Sequence, residues 1–134
     1  LSCLHKILLK YGKIYFKNMN KNDLITCAFT SFNAEDTIGK ALESAINQTY
    51  ENLEVIVVDN ESKDNSLQIL TDKFGQNSKV IIDTAENIYP NCWDEARQKG
   101  FSISTGEYLF TLASDDIYGP KFVDSDLIYD EYLT

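Results

Sequence analysis

The sequence predicts one α/β domain, or part of one, with an open and mainly parallel sheet covered by helices on both faces. From residue 23 onward, apolar strand-like runs alternate with segments of helical period, and no internal repeat or linker interrupts them. The 134 residues are 43% hydrophobic and 12% aromatic, which is sufficient for a buried core and too apolar for disorder. Polar clusters directly follow three of the predicted strands, at the edge where such sheets bind ligands.

The first strand is predicted over 24–29 (LITCAF), whose nearly continuous apolarity is typical of a parallel strand buried on both faces. It ends at the polar cluster 30–33 (TSFN). A helix follows and ends near Gln48, because apolar residues recur at the spacing of one helical stripe. The stripe consists of Ile38, Ala41, Leu42, Ala45 and Ile46.

The second strand is predicted over 53–58 (LEVIVV), where four of the six residues are β-branched, and it stops at 59–62 (DNES). Ser62 is predicted to cap the next helix, which Gly75 ends. The inward side of that helix is formed by Leu67, Leu70 and Phe74. A short third strand is predicted over 80–82.

A third helix is predicted after Pro90, because Asn91 and Asp94 have the spacing of a capping box. Gly106 fits the end of this helix. Its apolar stripe consists of Trp93, Ala96, Gly100 and Ile103.

The fourth strand, 108–112 (YLFTL), leads directly into an acidic cluster, and a last helix is predicted from Pro120. We expect a Rossmann-like strand order 3-2-1-4, with the predicted strands numbered along the chain. In this order Phe32, Asp59 and Asp115 converge on one crevice at the carboxyl edge of the sheet.

Residues 1–18 are predicted to be a basic leader, and residues 19–134 the domain itself. The leader contains four lysines and no acid, and Met19, the only methionine, follows it, which leaves open that the leader is a non-native extension. Its lysines and apolar residues recur at helical spacing. The leader is therefore either a basic amphipathic helix in peripheral contact with a membrane, or a frayed or locally packed segment. His5, the only histidine, has no partner pattern.

Charge and motif content exclude several function classes. The net charge is −9 although the leader is basic, and a phosphate backbone would repel so acidic a body, which argues against nucleic acid as a partner. Cys3, Cys27 and Cys92 lack a Cys-x-x-Cys pairing, so neither a disulfide framework nor a zinc site is indicated. We expect a cytoplasmic location, with the inner face of a membrane left open by the leader. Neither a P-loop nor a G-x-G-x-x-G motif is present, and no histidine outside the leader could serve a Ser-His-Asp or Cys-His site.

Asp115 and Asp116 are the residues that most directly indicate a chemistry, which is the binding of a divalent cation. Two adjacent carboxylates at a strand end repel each other, and a hard divalent cation relieves that repulsion while it keeps positions open for phosphate oxygens. The predicted occupant is Mg²⁺ or Mn²⁺. The alternative is that one aspartate caps the following turn and the other is solvated.

Three further residues each have a ligand role and a structural role open to them. Asp59 could accept a hydrogen bond from a nucleobase or ribose, or act with Ser62 at the start of the next helix. Phe32 could stack on a base, or it could belong to the core. Arg97, the only arginine, could reach a diphosphate or pair with an acid of the body.

Several short motifs, taken together and in order over about residues 22–125, resemble family 2 glycosyltransferases of the A-type fold. The motifs are FTSFNAE (29–35), ALESAINQTY (41–50), VIVVDNES (55–62), EARQKG (95–100), TGEY (105–108) and ASDDIYGP (113–120).

The resemblance implies an N-terminal donor-binding half that takes a nucleoside diphosphate sugar, from which the sugar passes to an acceptor hydroxyl with inversion. The residues implied are Thr30, Phe32, Asp59, Arg97 and Ser114 for the nucleotide, and Asp115, with Asp116 as the secondary candidate, for the metal ion. The sequence departs from the family pattern at three positions. Ala113 replaces the first acid of the Asp-x-Asp metal motif, and Asn60 and Glu61 replace the second Asp and the Gly of an Asp-Asp-Gly-Ser motif.

In this family the catalytic base lies in the acceptor-binding half, so we expect it beyond residue 134 and expect this chain alone to be inactive in transfer. The acceptor, a glycan or a lipid-linked molecule, is not indicated by the sequence. One alternative is a non-catalytic nucleotide-sugar-binding or scaffold module, which Ala113 and Asn60 favour. The other is a nucleotidyltransferase, although residues 30–36 contain no glycine- and lysine-rich loop.

The fourth predicted strand also suggests an assembly. Residues 107–112 are mainly apolar and contain neither lysine nor proline, the residues that usually protect an exposed sheet edge. We expect self-association through this edge, or coverage of the edge by the last helix.

Overall fold

The computed structural model describes residues 7–10, 13–16, 23–88, 90 and 92–123. Near the start of the chain, β1 (Ile7–Lys10) and β2 (Lys13–Phe16) form a two-stranded antiparallel sheet in which Ile7 is opposite Phe16. The amphipathic helix predicted for the leader is therefore wrong for these eight residues. Isoleucine, tyrosine and phenylalanine favour strands over helices, and this preference outweighs the helical spacing of the lysines. His5 and Cys3 lie outside the described residues.

The domain is built on a second sheet of four parallel strands. These are β3 (Ile25–Ser31), β4 (Leu53–Asp59), β5 (Val80–Thr84) and β6 (Tyr108–Leu112). Their spatial order is β5-β4-β3-β6, which confirms the predicted order 3-2-1-4. The register places Ser31 opposite Asp59 and Phe29 opposite Leu112, so the chain leaves β3, β4 and β6 at the same edge.

Helices cover both faces of this sheet, as predicted. They are α1 (Ile38–Ile46), α2 (Ser66–Phe74) and α3 (Cys92–Ile103). Side chains alternate across a strand, so one face of β3 and β4 presents Phe29 and Val57 to α1 and α2, while Val58 points to α3. The core under α1 and α2 is the larger of the two, and the core under α3 centres on Ile56, Val58 and Ala96.

Three local predictions are wrong. Leu67, predicted on the inward side of the second helix, is 37% exposed, whereas Leu70 and Phe74 are buried as predicted. Helix α2 begins at Ser66 instead of next to Ser62, because Asp64 accepts the Ser66 backbone N–H at 2.9 Å and fixes the start of the helix there. Gly75 is the C-terminal cap of α2, as predicted. The stretch predicted as a helix from Pro120 consists of turns up to the bridge residue Val123, and residues 124–134 lie outside the described range. A helix starting at Pro120 would need the Gly119 and Pro120 carbonyls and the Val123 backbone N–H. These groups are instead hydrogen-bonded to residues directly after α1.

The segment that connects α3 to β6 is fixed at the opposite edge of the sheet. Glu54 accepts hydrogen bonds from Thr26 Oγ1 (2.8 Å) and from Thr105 N (2.9 Å) and Oγ1 (2.6 Å). Gly106 is buried here, and a Cβ at this position would lie 2.5 Å from Thr26 Oγ1. The TGEY motif is therefore a structural feature, and Gly106 is required by the close approach of the chain before β6 to Thr26 of β3.

Two further observations concern the surface of the domain. Among the described residues, β6 pairs with β3 alone, so it forms one edge of the sheet, and its self-association stays a prediction. Within the same ranges, no helix has the length and apolarity needed to cross a bilayer.

Candidate functional site

The three polar clusters predicted from the sequence lie at the carboxyl edge of the sheet, after β3, β4 and β6. Thr30 and Arg97 line the same open cleft of about 290 Å³ there, together with Ala113, which begins the acidic cluster. The three loops therefore lie at one edge, as the strand order requires. The described residues that line this cleft do not include Phe32, Asp59 or Asp115, so their convergence on one crevice stays a prediction.

Asp59 is the most buried acid of this edge, with 1% of its surface exposed. Its carboxylate accepts the Ser62 backbone N–H at 2.9 Å and the Ser62 hydroxyl at 2.7 Å. Asp59 and Ser62 therefore interact as the structural alternative expected, but they close a turn four residues before α2 instead of capping that helix. Beside them, the Asn60 backbone N–H donates to the Ser31 carbonyl at 2.8 Å.

Residues 31–37 and 60–66, the paired loops, are joined to each other by hydrogen bonds between side chains and backbone. The bonds run from Asn33 N to Ser62 Oγ (2.9 Å), from Lys63 N to Asn33 Oδ1 (2.7 Å), from Ala34 N to Ser66 Oγ (2.8 Å) and from Glu35 N to Asp64 Oδ2 (3.1 Å). Each loop satisfies polar groups of the other, so the conformation of one depends on the other.

Asp64 shows the electrostatic consequence of this pairing. Burial raises the pKa of its carboxyl, but hydrogen bonds from the Ser66 hydroxyl and backbone and from the Glu35 backbone outweigh that effect. The pKa of Asp64 is therefore below its ordinary value of 3.8, and the carboxylate form stabilises the paired loops.

Two residues of the paired loops have left-handed backbone conformations, Asn33 with φ 49° and Glu61 with φ 54°. Asparagine tolerates this region, whereas glutamate does so only at a cost of about 1 kcal/mol or more. Glu61 occupies the position at which the family motif has glycine. Glycine adopts a positive φ without this cost, which explains why the motif has glycine there. Its carboxylate accepts the Asn87 backbone N–H at 2.8 Å, so the side chain connects this loop to the segment after β5.

Asp115 and Asp116 are exposed, and Ser114 is half-buried. Among the described residues, no three histidine, cysteine, aspartate or glutamate side chains are grouped closely enough to hold a metal ion. The pair fits an ion of the Mg²⁺ type, which is commonly bound through one or two carboxylates and takes its remaining ligands from water and substrate phosphates. The donor set does not fit an ion enclosed by protein alone.

Tyr118 connects this acidic cluster to the core, and our reasoning from the sequence did not identify it. Its hydroxyl accepts the Ala113 backbone N–H at 2.7 Å and donates to the Ala113 carbonyl at 3.0 Å. Burial raises the pKa of Tyr118 to about 12, and the charges of Asp116 and Asp115 add to the increase. The sequence signals were its place in the ASDDIYGP motif and its spacing from Phe122, and the rings of Tyr118 and Phe122 pack with centroids 4.9 Å apart.

The structure also places Arg97 and Phe32, the other ligand candidates from the sequence, and the thiol of Cys27. Arg97 forms an ion pair with Asp94 one helical turn away, as its structural alternative expected, and its half-exposed side chain also lines the cleft. Phe32 is half-buried at the start of the paired loops. Burial raises the pKa of the Cys27 thiol, which lies in the core and is therefore unsuited to be a nucleophile.

Comparison with known proteins agrees with this architecture. The profile of the family described as Glycosyl transferase family 2 matches residues 26–129. A UDP-Glc:α-D-GlcNAc-diphosphoundecaprenol β-1,3-glucosyltransferase, WfaP of Escherichia coli, is 32% identical over 96 residues, which cover 72% of this chain and 37% of that protein. The chain spans about a third of the length of this relative and of others that it matches.

Two solved structures share the fold. S. aureus TarS 1–349 in complex with UDP-GlcNAc superimposes with a TM-score of 0.64 at 21% identity, over 77% of this chain and 30% of that one. The mannosyltransferase PcManGT of Pyrobaculum calidifontis, in complex with GDP-Man and Mn²⁺, superimposes with a TM-score of 0.64 at 20% identity, over 72% and 29%. With the profile match covering most of the chain, these findings show that the protein belongs to glycosyl transferase family 2.

Proposed function

We propose that the chain is the donor-binding part of an inverting glycosyltransferase, which transfers a sugar from a nucleoside diphosphate sugar to an acceptor hydroxyl. One observation carries the proposal. The buried Asp59 ends β4 and the exposed pair Asp115 and Asp116 follows β6, the two strands that flank β3, so all three acids lie at one edge of the sheet, with the Arg97 cleft at the same edge. Hydrogen-bonding groups for a nucleoside and acids for a cation are thus available to one ligand.

In this proposal the nucleoside contacts the loops after β3 and β4. Asp59 accepts a hydrogen bond from the base or ribose with the lone pairs that Ser62 leaves free, since an ionised carboxylate can accept about four hydrogen bonds. Thr30 and Phe32 contribute a hydroxyl and an aromatic face. Arg97, half-exposed beside the cleft, exchanges part of its pairing with Asp94 for a diphosphate oxygen, and Ser114 donates to the same group.

Asp115 is the proposed principal ligand of an Mg²⁺ or Mn²⁺ ion, and Asp116 is the secondary one. When bound, the ion neutralises the negative charge that develops on the leaving diphosphate. Without it, a diphosphate would meet the repulsion of an acidic surface, because the chain carries a net charge of −9. The Mn²⁺ in the PcManGT complex supports a divalent cation as cofactor, and its ligands in this chain are our proposal.

The relatives support the ligand class without defining the sugar. WfaP is named for UDP-Glc, TarS was solved with UDP-GlcNAc and PcManGT with GDP-Man, so both uracil and guanine remain candidates for the base. WfaP acts on a diphosphoundecaprenol acceptor, which supports a glycan or lipid-linked acceptor for the whole enzyme. The cytoplasmic location and membrane contact stay predictions.

Inverting transfer also needs a general base at the acceptor hydroxyl. Following the family resemblance, we propose that this base lies outside these 134 residues, and the match to only 34% and 37% of two relatives' length supports that. Purified chain should therefore show at most slow hydrolysis of the donor. Sugar transfer by this chain at the ~10 per second typical of enzymes would contradict the proposal.

A non-catalytic nucleotide-sugar-binding module is the second candidate, favoured by Ala113 and Asn60 at positions that are acidic in the family pattern. Both candidates predict binding, and they separate in a longer clone that includes the acceptor-binding half. Sugar transfer by that clone supports the enzyme, and binding without transfer supports the module.

The binding site itself is tested by calorimetric titration of UDP, GDP and their sugar conjugates, with Mn²⁺ and with chelator. We expect one of the two base classes to bind, with affinity that increases with Mn²⁺ and loses this dependence in Asp115→Ala. Asp72→Ala is the matched control, because Asp72 is an exposed acid of α2 that contacts Gln68 and lies outside the site. Absence of binding in every combination would overturn the proposed function.

A further inference from the structure

We propose that Ser44 and Gln48, at the end of α1, and the hydroxyl of Tyr118 are positioning residues for the acid segment, residues 113–116. They hold this segment in the conformation that receives a divalent cation and a diphosphate. The inference rests on the proposed function of the acid segment. All three residues act on backbone groups of the chain after β6, and in this proposal none of them contacts the ligand.

Gln48 supplies the first set of contacts. Its side chain is 7% exposed, and its Nε2 donates to the Gly119 carbonyl at 2.7 Å and to the Ser44 carbonyl at 3.1 Å. Its Oε1 accepts the Val123 backbone N–H at 2.8 Å. Both amide donors and the amide acceptor are thus in use, and a buried polar group satisfied in this way favours one conformation of the loop.

Ser44 and Thr49 extend the contact along the end of α1. The Ser44 hydroxyl donates to the Ala41 carbonyl of its own helix at 2.7 Å and accepts the Tyr118 backbone N–H at 2.9 Å. The Thr49 backbone N–H donates to the Pro120 carbonyl at 2.8 Å. The chain between Tyr118 and Val123 is therefore attached at four points to Ser44 of α1 and to Gln48 and Thr49 directly after it, which explains why no helix starts at Pro120.

Tyr118 transmits this attachment to the acid segment. Its ring packs edge-on against Phe29 of β3, with centroids 6.2 Å apart, while its hydroxyl bonds both backbone groups of Ala113. The backbone is thereby fixed before and after the two aspartates, whose side chains remain exposed. A loop ordered before binding loses less conformational entropy when a ligand orders it further, so these contacts favour binding through the acid segment.

Tyr118→Phe is the central variant, because it keeps the ring and removes only the hydroxyl. We expect the Mn²⁺-dependent gain in UDP or GDP affinity to fall about three- to tenfold, the range of one net hydrogen bond, while affinity without Mn²⁺, to which Ser114 alone of this segment contributes, falls by a smaller factor. Ser44→Ala should act in the same direction, and Ser44→Thr, which keeps a hydroxyl, should restore the gain. Backbone amide exchange at Ala113 in the free Tyr118→Phe chain should become faster, which reports the hydrogen bond without any ligand.

Ser102→Ala is the matched control for Ser44→Ala. The Ser102 hydroxyl also donates to the carbonyl three residues earlier, Lys99, at 2.8 Å, but it lies on α3 and is exposed. A purely structural role would lower both affinities by a similar factor, together with the melting temperature, and that result would overturn the inference. An unchanged Mn²⁺-dependent gain in Tyr118→Phe would overturn the inference alone, whereas failure of the unaltered chain to bind any diphosphate would overturn the proposed function as well.

Discussion

The paired loops and the acid segment lie at the same edge of the sheet but are held in different ways. The paired loops bond to each other, and their central acid, Asp59, is 1% exposed with both carboxylate oxygens already bonded to Ser62. The backbone of the acid segment is hydrogen-bonded to Tyr118, which is in turn attached to α1. The two carboxylates of the segment are exposed. One region is bonded internally, and the other presents its acids to solvent.

In the proposed function, this difference assigns nucleoside recognition to the paired loops and cation binding to the acid segment. An acid buried within a hydrogen-bond network has fixed lone pairs and suits the recognition of neutral donors such as those of a base or ribose. Exposed adjacent carboxylates are accessible from solvent, and they suit a cation whose other ligands come from elsewhere. Substitutions in the two regions should therefore separate folding stability from metal dependence.

The largest expected effect on stability comes from Asp59→Ala. This change leaves the Ser62 N–H and hydroxyl without their buried acceptor, and we expect the free energy of unfolding to fall by about 3 kcal/mol. Chemical denaturation measures it, with Asp72→Ala expected to change stability by less than about 0.5 kcal/mol. A loss no larger than that of the control would show that the paired loops do not depend on Asp59.

Glu61 tests whether backbone strain in the paired loops matters. Alanine keeps the cost of the positive φ and glycine removes it, so Glu61→Gly should be more stable than Glu61→Ala by about 1 kcal/mol. The same two substitutions at Glu51, which is exposed and has no positive φ, should give the opposite order. Thermal denaturation of the four variants gives the comparison, and equal stability of the two Glu61 variants would contradict the strain.

The smallest expected effect is a pH dependence from Asp64. Its pKa is lower in the folded chain than its ordinary value of 3.8, so it contributes stability above about pH 4 that is lost as the pH falls through the folded pKa. The stability difference between the unaltered chain and Asp64→Asn should therefore be largest near neutral pH and shrink below pH 4. Denaturation from pH 3 to 7 measures this, and a difference independent of pH would rule out the assigned hydrogen bonds as its cause.

Much of the architecture could be predicted from local pattern. Buried parallel strands such as 53–58 are nearly continuous apolar runs, and the strand order followed from the alternation with helices. The start of α2 could not be predicted in this way, because the Ser62 hydroxyl is used by Asp59 and by the backbone of Asn33, 29 residues away. In the leader, the helical spacing of the lysines and apolar residues predicted a helix, and this was wrong where strand-favouring residues dominate.

The candidate site was predictable to the same extent. Acids that follow predicted strands can be recognised in the sequence, because ligands bind at that edge of a parallel sheet. Asp59, Asp115 and Asp116 were chosen for this reason, and their ligand roles stay predictions. Tyr118 and Gln48 were not identified, because their roles depend on contacts across 5 and 71 residues of chain, respectively. By residue type alone, Tyr118 is equally typical of an aromatic residue of the core, and Gln48 is equally typical of a helix surface.

The most direct test of this division is a calorimetric comparison of Asp59→Ala and Asp115→Ala, each titrated with UDP and GDP in Mn²⁺ and in chelator. Asp59→Ala should weaken binding by a similar factor in both conditions. Asp115→Ala should match the unaltered chain in chelator and lose all further gain from Mn²⁺. If Asp115→Ala keeps the Mn²⁺-dependent gain, or if Asp59→Ala loses only that gain, the division of the site between the two regions is wrong.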